Sequence, residues 1–182
     1  KMYFSTLEHQ EQQLKQNELF KKSISIVDTA ATEVRRIAHN MMPEVLMKMG
    51  LVNALGDLCN NISAGRQVKV SFQHSGMEER LSQSTEIMLY RIIQELLNNI
   101  VKHAEAKQAI VQFIRDGNRL SVTVEDDGKG YDVAGIEEAG HAGLESVKSR
   151  VSYLNGKWNV DSQKEVGTTV MMDFLVSEMS ES

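Results

Sequence analysis

The pattern of apolar and polar positions changes at the only proline of the chain, Pro43. Residues 1–42 contain neither proline nor glycine, which predicts helix. From Phe20 to Met41 the apolar positions recur in steps of four and three, a heptad seam typical of a coiled coil or helical bundle. With a shorter upstream helix, this segment would form a helical hairpin. We expect the hairpin to pair with a second copy in a dimeric four-helix bundle, the alternative being packing on the chain's own C-terminal part.

Beyond Pro43, segments of helical and strand periodicity alternate. Helices are predicted over 51–62, 84–104 and 144–154. Strands are predicted over 68–72, 109–114, 120–124, 157–160 and 168–176. This order predicts an α+β fold, a two-layer α/β sandwich with helices on one face of a mixed sheet. The predicted division places the hairpin helices in residues 1–46 and the sandwich domain in residues 47–182.

Composition narrows the class of protein. Of the 182 residues, 41% are apolar and 25% are charged, the balance of a globular protein. The net charge of −5 argues against a nucleic-acid partner, which would call for a basic patch. A single cysteine, Cys59, excludes an internal disulfide framework and fits a reducing, cytosolic compartment. No apolar run reaches the roughly 20 residues that span a bilayer. Because the chain begins at Lys1, we expect it to be cut from a longer protein.

Polar residues with chemical potential cluster near the end of the helix predicted over 84–104. Asn98, Asn99, Lys102 and His103 follow Glu95 at spacings of three, four, seven and eight, which bring most of these residues onto one helix face. A carboxamide oxygen there can ligate Mg²⁺, and a carboxylate one turn away can polarise a nearby proton donor. The alternative is a solvated face with a polar capping cluster.

A second cluster lies at 124–131, where an apolar strand runs directly into acid and glycine. A carboxylate at a strand end, here Asp126, can accept a hydrogen bond from an exocyclic amine such as that of adenine. Gly128 and Gly130 would let the backbone approach a flat ring or a phosphate closely. An ordinary Asp-Gly turn is the alternative. The following segment, 132–139, is short enough to be a lid.

Two further glycine motifs follow. Gly140 and Gly143, with Leu144, precede a predicted helix, and free N–H groups at a helix start form an anion-binding corner. Gly167 and Thr168 open the last predicted strand and offer a hydroxyl donor, although a tight turn entering a strand would look the same.

Taken together, these motifs resemble the ATP-binding domain of the GHKL superfamily, which is shared by histidine kinases, gyrase, Hsp90 and MutL. The Lys-His-Ala sequence at 102–104, the short lid and Gly-Leu-Glu-Ser-Val-Lys-Ser-Arg-Val at 143–151 resemble the histidine kinase subfamily of nitrate/nitrite and lipid-fluidity sensors. Residues 33–55 resemble the second helix of that subfamily's dimerisation and phosphotransfer hairpin. The resemblance implies the Bergerat fold, with ATP and Mg²⁺ as ligands.

For the phosphate side of the nucleotide, the resemblance implies that Asn99 holds Mg²⁺ and that Glu95 is the acid near the γ-phosphate. Lys102 and His103 would lie near the phosphates. The base of the lid would be formed by Gly143 and Leu144.

For the base of the nucleotide, it implies that Asp126 binds the adenine amine and that Thr168 lies near the adenine. Gly128 and Gly130 would lie against the nucleotide.

The same resemblance implies that ATP phosphorylates a histidine on the first hairpin helix, one followed directly by an acid. No His-Asp or His-Glu pair occurs in the chain, and His39, four residues before Pro43, belongs to the second helix. We therefore expect the acceptor histidine upstream of Lys1 and a fragment that does not phosphorylate itself.

The expected partners are a second copy, paired through the N-terminal helices, and the receiver domain of a response regulator. The chain would be the cytoplasmic part of a membrane-anchored sensor, with the anchor in other regions of the parent protein. Two alternatives remain: a GHKL serine kinase of the anti-sigma type, which lacks a dimerisation hairpin, and a non-catalytic nucleotide-binding adaptor.

Overall fold

The computed structural model describes residues 44–65, 67–131 and 142–176. The predicted hairpin, its heptad seam and His39 lie outside these residues, as does the predicted lid segment. The helices are α1 (Glu44–Ala64), α2 (Gln83–Asn99) and α3 (Ala142–Tyr153), and a π-helical turn, Ile100–Ala104, follows α2. The strands are β1 (Lys69–Ser75), β2 (Gln108–Asp116), β3 (Arg119–Asp126), β4 (Lys157–Gln163) and β5 (Gly167–Leu175). The order of elements predicted beyond Pro43 is confirmed.

The strands form one five-stranded sheet in the order β1-β2-β3-β5-β4, in which only β1 and β2 are parallel. Alternate residues of the central strands are buried, including Val111 and Phe113 in β2 and Val122 and Val124 in β3. They share one core with the apolar residues of the helices. On the other face of the sheet, side chains such as Ile110 are exposed. The α+β two-layer sandwich is therefore confirmed.

Helix α1 is kinked at Gly50, whose φ of 89° and ψ of 174° are not helical. The predicted helix over 51–62 corresponds to the part after the kink. Leu46, before the kink, is buried in the core, and its carbonyl accepts a hydrogen bond from Arg80 Nη2 at 3.3 Å. Arg80 is also paired with the buried Glu86 at 2.6 Å. The domain division after residue 46 stays a prediction.

Helix α2 begins where the sequence chemistry favours a helix start, because the Ser82 side chain accepts a hydrogen bond from Thr85 N at 3.3 Å. The prediction of one regular helix over 84–104 is wrong at its end. The α-helix ends at Asn99, and the next five residues form a π-helical turn that ends at Glu105 in the left-handed conformation (φ 55°). The carbonyl of Ala104, at the end of this turn, accepts a hydrogen bond from Lys129 N at 2.8 Å.

In the ranges 44–65, 67–131 and 142–176, no helix combines the length and the apolar character needed to cross a bilayer.

Candidate functional site

A cavity of about 570 Å³ opens between the end of α2, the start of α3 and the adjoining ends of β3 and β5. Most residues predicted to form the site line it: Asn99, Lys102, His103, Asp126, Gly130, Gly143, Leu144 and Thr168. Glu95 and Gly128 do not line the cavity, although Glu95 lies next to Gly143 and Gly128 lies next to Asp126. The four sequence motifs therefore meet at one place, as their proposed roles require.

One end of the cavity, here called the strand end, is formed by Asp126, Thr168 and the loop 127–131. Asp126 is the last residue of β3 and lies directly opposite Thr168 of β5 in the antiparallel register. Asp126 is only 8% exposed, and its Oδ1 accepts a hydrogen bond from Gly128 N at 2.9 Å. Burial raises the pKa of this carboxyl, against the opposing effect of the Gly128 hydrogen bond. The result is a buried acceptor facing a cavity.

The next aspartate in the chain has the opposite environment. Asp127 is exposed, and its Oδ1 accepts hydrogen bonds from the backbone N–H groups of Gln108 and Lys107, both at 2.8 Å. These bonds, that of Gln108 above all, lower the pKa of Asp127. Asp127 therefore fastens the loop to the start of β2, while Asp126 is left to the cavity.

Backbone hydrogen bonds hold the loop 127–131 between the π-helical turn and the β4–β5 hairpin. Lys129 N donates to Ala104 O at 2.8 Å, and Glu165 N donates to Lys129 O at 2.7 Å. The packing is tight, because a Cβ on Gly130, which has a φ of 54°, would lie 2.0 Å from the carbonyl oxygen of Gln163. Gly128 is similarly close to Ala104 O, at 2.4 Å for a Cβ. Both glycines are thus required by packing, whatever they do for a ligand.

The other end of the cavity, here called the helix end, is lined by Asn99 of α2 and Gly143 of α3, and Glu95 of α2 lies next to Gly143 without lining the cavity. A Cβ on Gly143 would lie 2.9 Å from Glu95 Oε1 and 3.1 Å from both Oδ1 and Nδ2 of Asn99. The glycine therefore leaves room for a carboxylate and a carboxamide to converge. The sequence suggested that Gly143 precedes the helix. Helix α3 begins at Ala142, however, so Gly143 lies in its first turn.

Cationic side chains surround the cavity. Lys102 and His103 are exposed and line it from the π-helical turn. Lys129 lines it from the loop 127–131 and forms an exposed ion pair with Glu105 at 2.7 Å. Three residues that can carry positive charge therefore border a cavity whose strand end presents a carboxylate.

Some lining residues were not predicted as site residues. Lys129 and Tyr131 lie inside the acidic-glycine motif, and the position of each next to a predicted glycine was an available signal. The apolar wall contains Leu96, Ile100, Val124 and Val170, among others. Val124 and Val170 could have been inferred from strand alternation, but only with knowledge that β3 and β5 are paired.

Among the described residues, no group of three or more His, Cys, Asp or Glu side chains could hold a metal ion.

Residues 84–178 match the family model described as histidine kinase-, DNA gyrase B- and HSP90-like ATPase. The match contains every residue of the cavity and covers more than half of the chain. The chain belongs to this family. The predicted GHKL resemblance is confirmed, and with it an ATP-binding domain at the level of the family.

Relatives and solved structures agree with this assignment. The sensor histidine kinase MctS of Rhizobium johnstonii is 30% identical over 151 residues, which are 82% of this chain and 32% of MctS. The histidine kinase domain of the blue-light activated histidine kinase from Erythrobacter litoralis EL346 has 27% identity and a TM-score of 0.57, covering 69% of this chain and 61% of that one. The chain spans about a third of the curated relatives' length.

The full-length structure of ShkA in complex with AMPPNP has the same fold, with a TM-score of 0.57 at 18% identity. It covers 72% of this chain and 30% of ShkA.

Proposed function

We propose that this chain is the ATP-binding catalytic region of a two-component sensor histidine kinase, and that the cavity binds ATP together with Mg²⁺. One observation carries the proposal: the buried carboxylate of Asp126 at the strand end and the carboxamide of Asn99 at the helix end line the same cavity, with the Glu95 carboxylate next to Gly143 at the helix end. Similarity to sensor histidine kinases, and to the fold of a protein solved with the ATP analogue AMPPNP, supports it.

At the strand end, Asp126 would accept a hydrogen bond from the exocyclic amine of adenine. Its ionised carboxylate is an acceptor only, so it favours a purine that carries a donor at this position. The apolar wall, to which Val124 and Val170 belong, would cover the faces of the ring. Tyr131, half-buried beside them, has a pKa raised by burial and by the charge of Asp126, which keeps its hydroxyl protonated.

At the helix end, the donor set fits Mg²⁺. Asn99 would contribute its carboxamide oxygen, and the cavity that Asn99 and Gly143 line would admit phosphate oxygens near Glu95. When bound, Mg²⁺ would neutralise charge on the phosphate oxygens. Glu95 would hold or polarise a proton donor near the γ-phosphate, and Lys102 and His103 would attract the phosphates by charge and hydrogen bonding.

In the parent protein, the γ-phosphoryl group would pass from ATP to a nitrogen of an acceptor histidine, leaving ADP, and then to an aspartate of a response regulator. Such a transfer depends mainly on positioning and charge stabilisation. We propose that the acceptor histidine belongs to a part of the parent protein outside these 182 residues, and that the parent protein is a homodimer. The membrane anchor and the cytoplasmic location are proposals of the same kind.

Calorimetric titration of the chain with AMPPNP, with and without Mg²⁺, tests the nucleotide site. We expect saturable binding that strengthens with Mg²⁺. Asn99→Ala should remove most of the strengthening, whereas Asn98→Ala, an exposed carboxamide at the preceding position and outside the cavity lining, should keep it. Absence of binding by the unmodified chain would refute the proposed function.

A longer chain that adds the segment preceding Lys1 tests the reaction. Incubated with labelled ATP, it should acquire phosphate on histidine, which is labile to acid and stable to base. Acid-stable phosphate on serine would instead support the anti-sigma type of kinase, and nucleotide binding without any transfer would support the adaptor.

A further inference from the structure

The Ser162 hydroxyl connects three parts of the strand end. It accepts a hydrogen bond from Tyr131 N at 2.9 Å and donates one to Gly167 O at 3.1 Å. It also lies 2.9 Å from Thr168 Oγ1, a distance at which either oxygen could be the donor. Ser162 and Thr168 are direct neighbours in the register between β4 and β5. Ser162 itself is half-buried and does not line the cavity.

The number of protons decides the direction of the hydrogen bond between Ser162 and Thr168. A serine hydroxyl has one proton and two lone pairs. The proton of Ser162 is directed to Gly167 O, and one lone pair is used by Tyr131 N–H. Only a lone pair remains toward Thr168, so Thr168 Oγ1 must donate its own proton to Ser162. Thr168 then has only lone pairs to offer to the cavity that it lines.

We infer that Ser162 is a specificity-determining positioning residue, which fixes Thr168 as a hydrogen-bond acceptor and thereby makes the cavity select a 6-amino purine over a 6-oxo purine. Thr168 lies directly opposite Asp126 in the register, so two acceptors stand side by side at this end of the cavity. An amine offers protons to both acceptors. A carbonyl oxygen at position 6 would face the lone pairs of both acceptors, and neither Asp126 nor Thr168 would donate a hydrogen bond to it.

This inference rests on the proposed function, because it assumes that the base of a nucleotide occupies the strand end. It goes further in naming a residue behind the cavity wall that sets the choice of base. Without Ser162, the Thr168 hydroxyl could rotate and donate toward a carbonyl. The affinity for ATP would then fall relative to the affinity for ITP.

The test is calorimetric titration of the full 182-residue chain and its variants with ATP and with ITP, which carries a carbonyl in place of the amine. In Ser162→Ala, we expect the preference for ATP over ITP to fall roughly fivefold, the factor expected from one neutral hydrogen bond. Ser162→Thr keeps a hydroxyl and should restore the preference. Ser121→Ala is the matched control, since its hydroxyl binds Asp173 on the opposite face of the sheet at 2.6 Å.

A purely structural role for Ser162 would weaken ATP and ITP binding by the same factor, and an unchanged ratio of the two dissociation constants would overturn the inference. That result is distinct from failure of the proposed function, which would show as no binding of ATP by the unmodified chain.

Titration of the unmodified chain gives a second test, which does not depend on the folding of any variant. Purine riboside triphosphate has neither an amine nor a carbonyl at position 6. If Asp126 and Thr168 present only acceptors to the base, affinity should decrease from ATP to purine riboside triphosphate, because only the amine at position 6 is lost. Binding of purine riboside triphosphate as tight as that of ATP would contradict two acceptors facing position 6 of the base.

Discussion

The two ends of the cavity are built in different ways. At the strand end, Asp126 is fixed at the terminus of a paired strand, and backbone hydrogen bonds hold the adjacent loop from both sides. At the helix end, the polar groups are side chains of Glu95 and Asn99 that converge on a glycine in another helix. The strand end is therefore preorganised by the sheet, whereas the helix end can adjust by side-chain rotation. The strand end is therefore suited to a rigid base, and the helix end is suited to phosphates and a metal ion.

The largest effect is expected from the strand end. Asp126→Asn should weaken AMPPNP binding by roughly 50-fold, within the range for a hydrogen bond to a charged group. Its carbonyl oxygen can still accept from Gly128 N, so the loop should stay in place. Asp116→Asn, at the exposed end of β2, is the control in calorimetry. A change of less than twofold in Asp126→Asn would show that the base does not bind at the strand end.

A smaller effect is expected from filling the helix end. Gly143→Ala would bring a methyl group to 2.9 Å from Glu95 Oε1, and both Glu95 and Asn99 would have to move. We expect about tenfold weaker binding in the presence of Mg²⁺, in line with the loss of one hydrogen bond to a charged group, and a smaller change without it. In Gly56→Ala, the added methyl group meets nothing within 4 Å, so this helical control should bind normally. Equal losses with and without Mg²⁺ would contradict a metal-binding role.

Acid should weaken binding at the strand end, by a smaller factor than either substitution. Burial raises the pKa of Asp126, so its carboxylate takes up a proton at a higher pH than an ordinary aspartate. Since the ionised form is the acceptor for the amine, affinity should fall as the pH falls through this raised value. Titration from pH 8 to pH 5.5, with Asp126→Asn measured in parallel, separates this effect from protonation of the phosphates. Parallel pH profiles of the two proteins would remove Asp126 as the titrating group.

The smallest effect on binding is expected from the neighbouring aspartate. Asp127→Ala removes the acceptor of two backbone N–H groups, which should cost on the order of 1 kcal/mol and lower the melting temperature by about 3 °C. Because the pKa of Asp127 is lowered in the folded state, this stabilisation is present above the unfolded pKa and is lost as the pH falls through the folded one.

Thermal unfolding and AMPPNP titration together check this prediction, with Asp161→Ala, an exposed aspartate of β4, as the control. Loss of affinity comparable to that of Asp126→Asn would mean that the two carboxylates do not have separate roles.

Sequence alone predicted the architecture well, because it depends on periodicity. The alternation in β2 and β3 determines which face is buried, and the helix after Gly50 follows from its apolar residues. The π-helical turn could not be predicted, since its residues also fit the α-helical period. It is associated with a contact between Ala104 and Lys129, which lie apart in the chain.

The site was predictable to the extent that its residues lie in short motifs. Asn99, Asp126 and Gly143 could each be named from a motif, but no motif indicates which groups these residues meet across the cavity. Ser162 illustrates the limit. Nothing in its local sequence marks it, and its importance follows only from the pairing of β4 with β5, which places it against Thr168.

The π-helical turn makes the number of residues in this part of the chain as important as their identity. Deleting one residue between Ile100 and Ala104 would leave the asparagine motif recognisable in the sequence. It would nevertheless rotate the following residues by about 100° around the helix axis. Ala104 would then be withdrawn from Lys129, and the loop that follows Asp126 would lose its support on one side. A related sequence that keeps the asparagine motif but has one residue more or fewer between Ile100 and Ala104 should therefore be expected to have a different cavity.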